Sequence, residues 1–152
     1  MLFMGIDPGI KGGVAIISDS PEIYPCVYPL SNTGQLAIDL AACSFGHVVL
    51  EKAQTMPRQG ICSAFSYGVG FGRLLQLIED SGAPHTLVPP ARWTKLLHVG
   101  CRGTPKVKSL QACRRLFPGV NLIPPGKRVP HDGIVDALLL AEYARRLHAG
   151  KV

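Results

Sequence analysis

Hydrophobic residues open the chain as a nearly unbroken run, Leu2, Phe3, Met4 and Ile6, which ends at Asp7 and is stopped by the Pro8-Gly9 dipeptide. A short apolar run bounded by turn formers predicts a buried strand, here with a carboxylate as its last residue. A second run, residues 14–17, follows the Gly12-Gly13 pair, so the two runs predict a hairpin. Residues 23–28 predict a third strand beside it, pushed toward an edge by Pro25, which has no N–H for a ladder. Leu36, Ile38, Leu40 and Ala41 then recur at near-helical spacing over residues 35–43, behind the capping residue types Asn32 and Thr33. Residues 47–50 form another short apolar strand, and it too ends in an acid, Glu51.

The second half reads as helices. Residues 61–78 are helical in pattern despite three glycines, each costing about 1 kcal/mol relative to alanine. Gly60, Ala64, Gly68 and Gly72 fall every fourth residue and make a smooth stripe, with Phe65, Tyr67 and Phe71 off it. The stripe lets the helix lie close to its own sheet or pair with a copy of itself across a dimer, and its glycines also permit a kink. Residues 85–88 are a last short strand, and Pro89-Pro90 opens a helix over 91–99 with proline in its tolerated first turn. After a loop holding Arg102, residues 106–117 place Lys106, Lys108, Arg114 and Arg115 opposite apolar Val107, Leu110 and Leu116. Residues 118–130, rich in proline and glycine, predict a loop carrying Lys127 and Arg128.

The final helix changes the chemistry. His131-Asp132-Gly133-Ile134-Val135-Asp136 runs straight into Ala137, Leu138, Leu139, Leu140 and Ala141, so Asp136 sits in a segment that must be largely buried. A buried, unpaired carboxylate costs several kcal/mol and must take a proton or find a cation. Asp132 lies one turn earlier on the same face and either joins Asp136 as a ligand or caps the helix. The Asp7 stretch also has a plainer reading, as an Asp-Pro-Gly turn. If the strands ending in Asp7 and Glu51 are neighbours, about 4.8 Å apart, both acids can reach one cation. Asp7, Glu51, Asp132 and Asp136 together suit a pair of hard cations at a phosphodiester, and an all-carboxylate set selects Mg²⁺ or Mn²⁺ over softer metals.

Composition narrows the setting. The chain has 152 residues, 47% of them hydrophobic, which suits one domain over residues 1–152 with a single core. No apolar run reaches the length needed to cross a bilayer, and no secretory signal precedes the first strand, so a soluble cytoplasmic protein without a membrane partner is expected. Five scattered cysteines without a C-x-x-C pair argue against a zinc site or a disulfide framework and for reduced thiols. A formal charge of +6 favours a polyanionic partner, with Lys11, Arg58, Lys95, Lys106, Lys108, Lys127 and Arg128 as candidates to hold phosphates. A cationic run of this kind is otherwise a solvated face.

The opening G-I-D-P-G, the strand ending in Glu51, the K-S-L-Q-A helix opening and the closing D-x-x-x-D-A-L-L-L-A resemble, in order and spacing, the RuvC Holliday junction resolvases of the ribonuclease H-like superfamily. The resemblance spans nearly the whole chain, and the compact length is similar to bacteriophage versions. It implies an α/β fold with a mixed five-stranded sheet flanked by helices, and a homodimer formed through the glycine-rich helix. It also implies Mg²⁺-dependent paired nicking of four-way DNA junctions that leaves 5′-phosphates, in a bacterial or phage-infected cell. Asp7, Glu51 and Asp136 match the metal-binding acids of the family, and Lys95 and Lys108 its DNA-contacting positions. On this reading Asp7 bridges two ions, with Glu51 on one and Asp132 and Asp136 on the other. Two departures stand out. The family's fourth ligand precedes the last acid by three residues, where this chain has Gly133, leaving Asp132 or His131 as substitutes. Its aromatic wedge after the glutamate is also missing, since Gln54 and Met56 occupy that neighbourhood. Within the same fold the alternatives are a broader branched-DNA or flap nuclease and a catalytically inactive junction binder. The glycine hairpin also resembles the phosphate-binding hairpin of actin-like ATPases, which need a second such domain that this length does not provide.

Overall fold

The computed structural model describes all residues except 32, 53 and 55–59. Strands β1 (Leu2–Asp7) and β2 (Gly13–Ser18) form the expected antiparallel hairpin, with Asp7 opposite Gly13. Strand β4 (Phe45–Glu51) lies parallel to β1 on its other side, and β5 (His85–Val88) lies parallel to β4. Strand β3 (Cys26–Pro29) pairs antiparallel with β2, completing a mixed five-stranded sheet in the order β3-β2-β1-β4-β5. The third strand is shorter than the sequence pattern suggests. Ile23 and Tyr24 lie outside the ladder because Pro25 cannot donate to it, and the Tyr24 hydroxyl instead donates to the Gly119 carbonyl.

Helices cover both faces, which is why β1 and β4 read as continuous apolar runs rather than alternating ones. Successive side chains of β1 point to opposite sides. Met4 and Ile6 join Val14, Val48 and Leu50 under α1 (Gly34–Ala42) and α2 (Ile61–Asp80), through Leu36, Leu40, Leu74 and Ile78. Phe3, with Ala15, Ile17 and Val49, packs under α3 (Pro90–Leu97), α4 (Pro105–Leu116) and α5 (Asp132–His148). Helix α5 is the centre of that layer, buried from Gly133 to Ala141 except at Asp136. It lies against β1 in backbone contact: a Cβ added to Gly5 would sit 2.2 Å from both the Ala137 carbonyl oxygen and the Ala141 nitrogen.

Several local expectations change. Thr33 is the N-cap of α1 but makes no side-chain capping bond, and Asn32 lies outside the described residues. His131, not Asp132, caps α5, its Nδ1 accepting from the Ile134 N–H at 3.3 Å. Helix α2 runs 20 residues without a break, and a Cβ at Gly60, Gly68 or Gly72 would meet nothing within 4 Å. The stripe therefore does not serve close packing on the helix's own sheet. No apolar run reaches spanning length, yet by length and composition alone α2 is long and apolar enough to cross a bilayer. Run length missed this because serine, arginine and glutamine interrupt the run without outweighing its average. Leu74 and Ile78 nevertheless seat the second half of α2 on the sheet core.

Candidate active site

Strand register brings the first two acids together. Ile6 stands beside Leu50 in the parallel β1–β4 pair, so Asp7 and Glu51 end adjacent strands. Both follow the alternation that turns Phe3 and Val49 toward α5, where Asp136 faces them from the first turns of the helix. The hairpin turn holds Asp7 in place: Gly12 N–H donates to the Gly9 carbonyl at 2.7 Å, and Gly9 N–H donates to Asp7 Oδ1 at 3.1 Å. That turn packs directly on α5, since a Cβ at Gly133 would fall 2.2 Å from the Lys11 carbonyl oxygen.

Three negative charges in one desolvated place raise each other's proton affinity. Burial, with the charges of Asp7 and Asp136 added, pushes Glu51 up to about 7 against the pull of Trp93. Burial pushes Asp136 up to about 6, helped by Asp7 and Asp132 and opposed by the Ser109 hydroxyl and Lys106. Asp7 is raised as well, again mainly by burial, with the Gly9 N–H opposing it. Asp136 Oδ1 is buried and has no hydrogen-bond partner among the described residues. An orphaned carboxylate oxygen among like charges is the condition a hard divalent cation relieves, and an oxygen-only donor set fits Mg²⁺ or Mn²⁺. Among the described residues, no three His, Cys, Asp or Glu groups stand close enough to enclose an ion as they are. Asp132 is turned outward to Lys106, with Oδ2 and Nζ 2.6 Å apart.

The remaining sequence candidates divide clearly. Lys95 is exposed on α3, and Lys106 and the half-buried Lys108 lie on α4, the two helices that contribute Trp93 and Ser109 beside the acids. Lys106 also lines a 170 Å³ hollow with Asp132 and Asp136. Lys11 is exposed in the hairpin turn, Lys127 and Arg128 are exposed in the coil before α5, and Arg58 lies outside the described residues. Arg115 is not a free cation: its two terminal nitrogens bind the Leu97 and Val99 carbonyls at 2.9 and 2.8 Å, closing the end of α3.

Three residues at the site escape the sequence pattern. Trp93 Nε1 donates to Glu51 Oε2 at 2.7 Å. Ser109 bears on Asp136. Tyr67, with its hydroxyl held protonated by burial and by the charges of Asp7 and Glu51, lines a 330 Å³ cleft with Gly9, Ile10, Glu51 and Gln54. Gln54 thus does border the site, while Met56 lies outside the described residues. Helical periodicity could only read these side chains as packing, because their partners come from distant strands.

No protein-family model and no curated protein matches this sequence. Solved structures do. Thermus thermophilus RuvC in complex with a Holliday junction substrate superposes with a TM-score of 0.69 at 19% identity, over 99% of this chain and 97% of that one. A further structure of Thermus thermophilus RuvC gives 0.67 at 19% identity, over 99% and 98%. The order and pairing of strands, the helices on both faces and the full-length superposition show that this chain has the RuvC fold of the ribonuclease H-like class.

Proposed function

We propose that this protein is a divalent-metal-dependent endodeoxyribonuclease that resolves four-way DNA junctions by paired, symmetric nicks. The observation that carries the reading is Asp7 and Glu51 at the ends of adjacent strands with Asp136 facing them from α5, its Oδ1 buried and without a partner among the described residues. The junction-bound structure of the Thermus protein supports the substrate class. Bound Mg²⁺ or Mn²⁺ would supply positive charge at the scissile phosphate and lower the pKa of water enough for it to lose a proton and attack as hydroxide near neutral pH. Asp7, Glu51 and Asp136 would hold the ions, with Asp132 the fourth acid once it leaves Lys106. Lys106 would then be free for a phosphate, so that one side chain answers both charges in turn. Lys95 and Lys108 extend the cationic border along α3 and α4 for the strand that enters the site.

Paired cuts need two sites related by a two-fold axis, and α2 offers the surface for it. Ile61, Phe65 and Val69 recur every fourth residue and are 88%, 73% and 40% exposed, beside the open groove of Gly68 and Gly72. A ridge of large apolar side chains next to a groove of glycines complements a second copy of itself. Phe65→Glu is expected to weaken self-association at least about 100-fold, roughly 2.7 kcal/mol, and to turn paired cuts into unlinked single nicks. Sedimentation velocity reads the first effect and a cruciform plasmid the second; a dimer of wild-type strength in the variant would remove α2 from the interface.

Labelled junction, fork, flap, duplex and single-stranded DNA incubated with and without Mg²⁺ test the activity itself. Symmetric junction nicking that requires the cation, and that Asp7→Asn abolishes while still binding the junction, is the expected result. Equal cutting of forks or flaps would mark a broader branched-DNA nuclease, and binding without cutting an inactive junction binder.

A further inference from the structure

Trp93 is the chain's one tryptophan, and it is 2% exposed in the core between the sheet and α5. A buried indole needs a partner for its N–H, and here the partner is an acid of the site: Nε1 donates to Glu51 Oε2 at 2.7 Å. The indole also meets the His98 ring edge-on, with centroids 5.6 Å apart at 85°. His98 Nε2 lies 3.1 Å from Ser109 Oγ, and the Ser109 hydroxyl bears on the Asp136 carboxyl. Trp93 and His98 at α3 and Ser109 on α4 thus form a continuous path between Glu51 on β4 and Asp136 on α5.

We propose that Trp93 is a positioning residue for cation binding. Its N–H occupies one lone pair of Glu51 and fixes the rotation of the carboxylate, while the His98–Ser109 leg sets Asp136 against it across the site. The inference rests on the reading of Asp7, Glu51 and Asp136 as metal ligands. Groups hydrogen-bonded to metal ligands, when removed, typically cost 10- to 100-fold in metal affinity.

Two measurements on the full-length protein without DNA test this. The single indole N–H gives one ¹H–¹⁵N cross-peak, which is expected to move on Mg²⁺ addition and, without any cation, in Glu51→Gln. Trp93→Phe keeps a ring in the core and removes the donor, and its Mn²⁺ affinity, from the electron paramagnetic resonance of free Mn²⁺, is expected to fall about 10- to 100-fold with its remaining amide spectrum retained. An indole cross-peak blind to both Glu51→Gln and Mg²⁺ overturns the proposal, and so does a Trp93→Phe variant that binds Mn²⁺ as wild type does. If wild type takes up no Mn²⁺ while Glu51→Gln still shifts the indole, the ligand reading fails although the hydrogen bond stands, and Trp93 loses this role with it.

Discussion

Asp136→Asn is expected to abolish cleavage and, in metal-free buffer at pH 8, to raise the melting temperature rather than lower it. Burial raises Asp136 to about 6 and Glu51 to about 7 in the folded protein, above their ordinary values of 3.8 and 4.5. A carboxyl with a folded pKa above its unfolded one binds its proton more tightly when folded, so its contribution to stability declines as pH rises from the unfolded value and is fully lost above the folded one. Metal-free wild type should therefore lose stability from about pH 4 to pH 8. Asp136 accounts for about 2–3 kcal/mol of that, allowing for water at the open side of the site. The amide is nearly isosteric and cannot ionise, so the variant escapes this loss and should melt on the order of 5 °C higher at pH 8. It can also donate to the carboxylates around it.

The same change removes a ligand where like charges require a cation. Cleavage should fall at least about 1,000-fold, some 4 kcal/mol of barrier. Mg²⁺ should raise the melting temperature of wild type, since a ligand bound only by the folded state stabilises it by mass action, and should do so less in the variant. Calorimetry at pH 5 and pH 8 with and without Mg²⁺ separates the effects. A variant that melts below wild type at pH 8 would mean that the acid sits in a structural ion pair, and one that still cuts would exclude it from the site.

What the sequence made legible follows the physics of burial. β1, β4 and α5 were readable because segments buried on every side must be apolar throughout, and an acid in or at the end of such a segment has no cheap structural explanation. That logic singled out Asp7, Glu51 and Asp136 as the acids to look for, and the fold it implied is the one the structure has. It failed where a tertiary partner decides. Trp93 and Ser109 look like packing until Glu51 and His98 are placed beside them. Asp132 is the cap that residue type favours, and only the backbone geometry gives the role to His131. The exposed row Ile61, Phe65, Val69 was visible as hydrophobicity, but not as a surface left uncovered by the chain's own fold.

Gly133→Asp, which would put an acid at the spacing of the RuvC pattern, is expected to unfold the site instead of completing it. A Cβ there would stand 2.2 Å from the Lys11 carbonyl oxygen and 2.5 and 2.7 Å from Gly12 C and Cα. All three are backbone atoms, so no rotamer change relieves the clash and the hairpin turn must move. On the facing side, a Cβ at Gly13 would meet the Gly133 carbonyl at 2.4 Å, so the two glycines are one contact seen from both directions. That turn carries the Gly9 N–H that holds Asp7, and displacing it dismantles the strand-end arrangement along with the packing. Overpacking against backbone costs about 3 kcal/mol, and a carboxylate forced into the seam adds its desolvation. Urea unfolding should show the loss, and calorimetric titration with Mg²⁺ should show weaker, not tighter, binding. A variant as stable as wild type that bound Mg²⁺ more tightly would restore the standard spacing. The expected failure would leave Asp132, one residue earlier and exposed beside Lys106, as the position proposed here for a fourth acid.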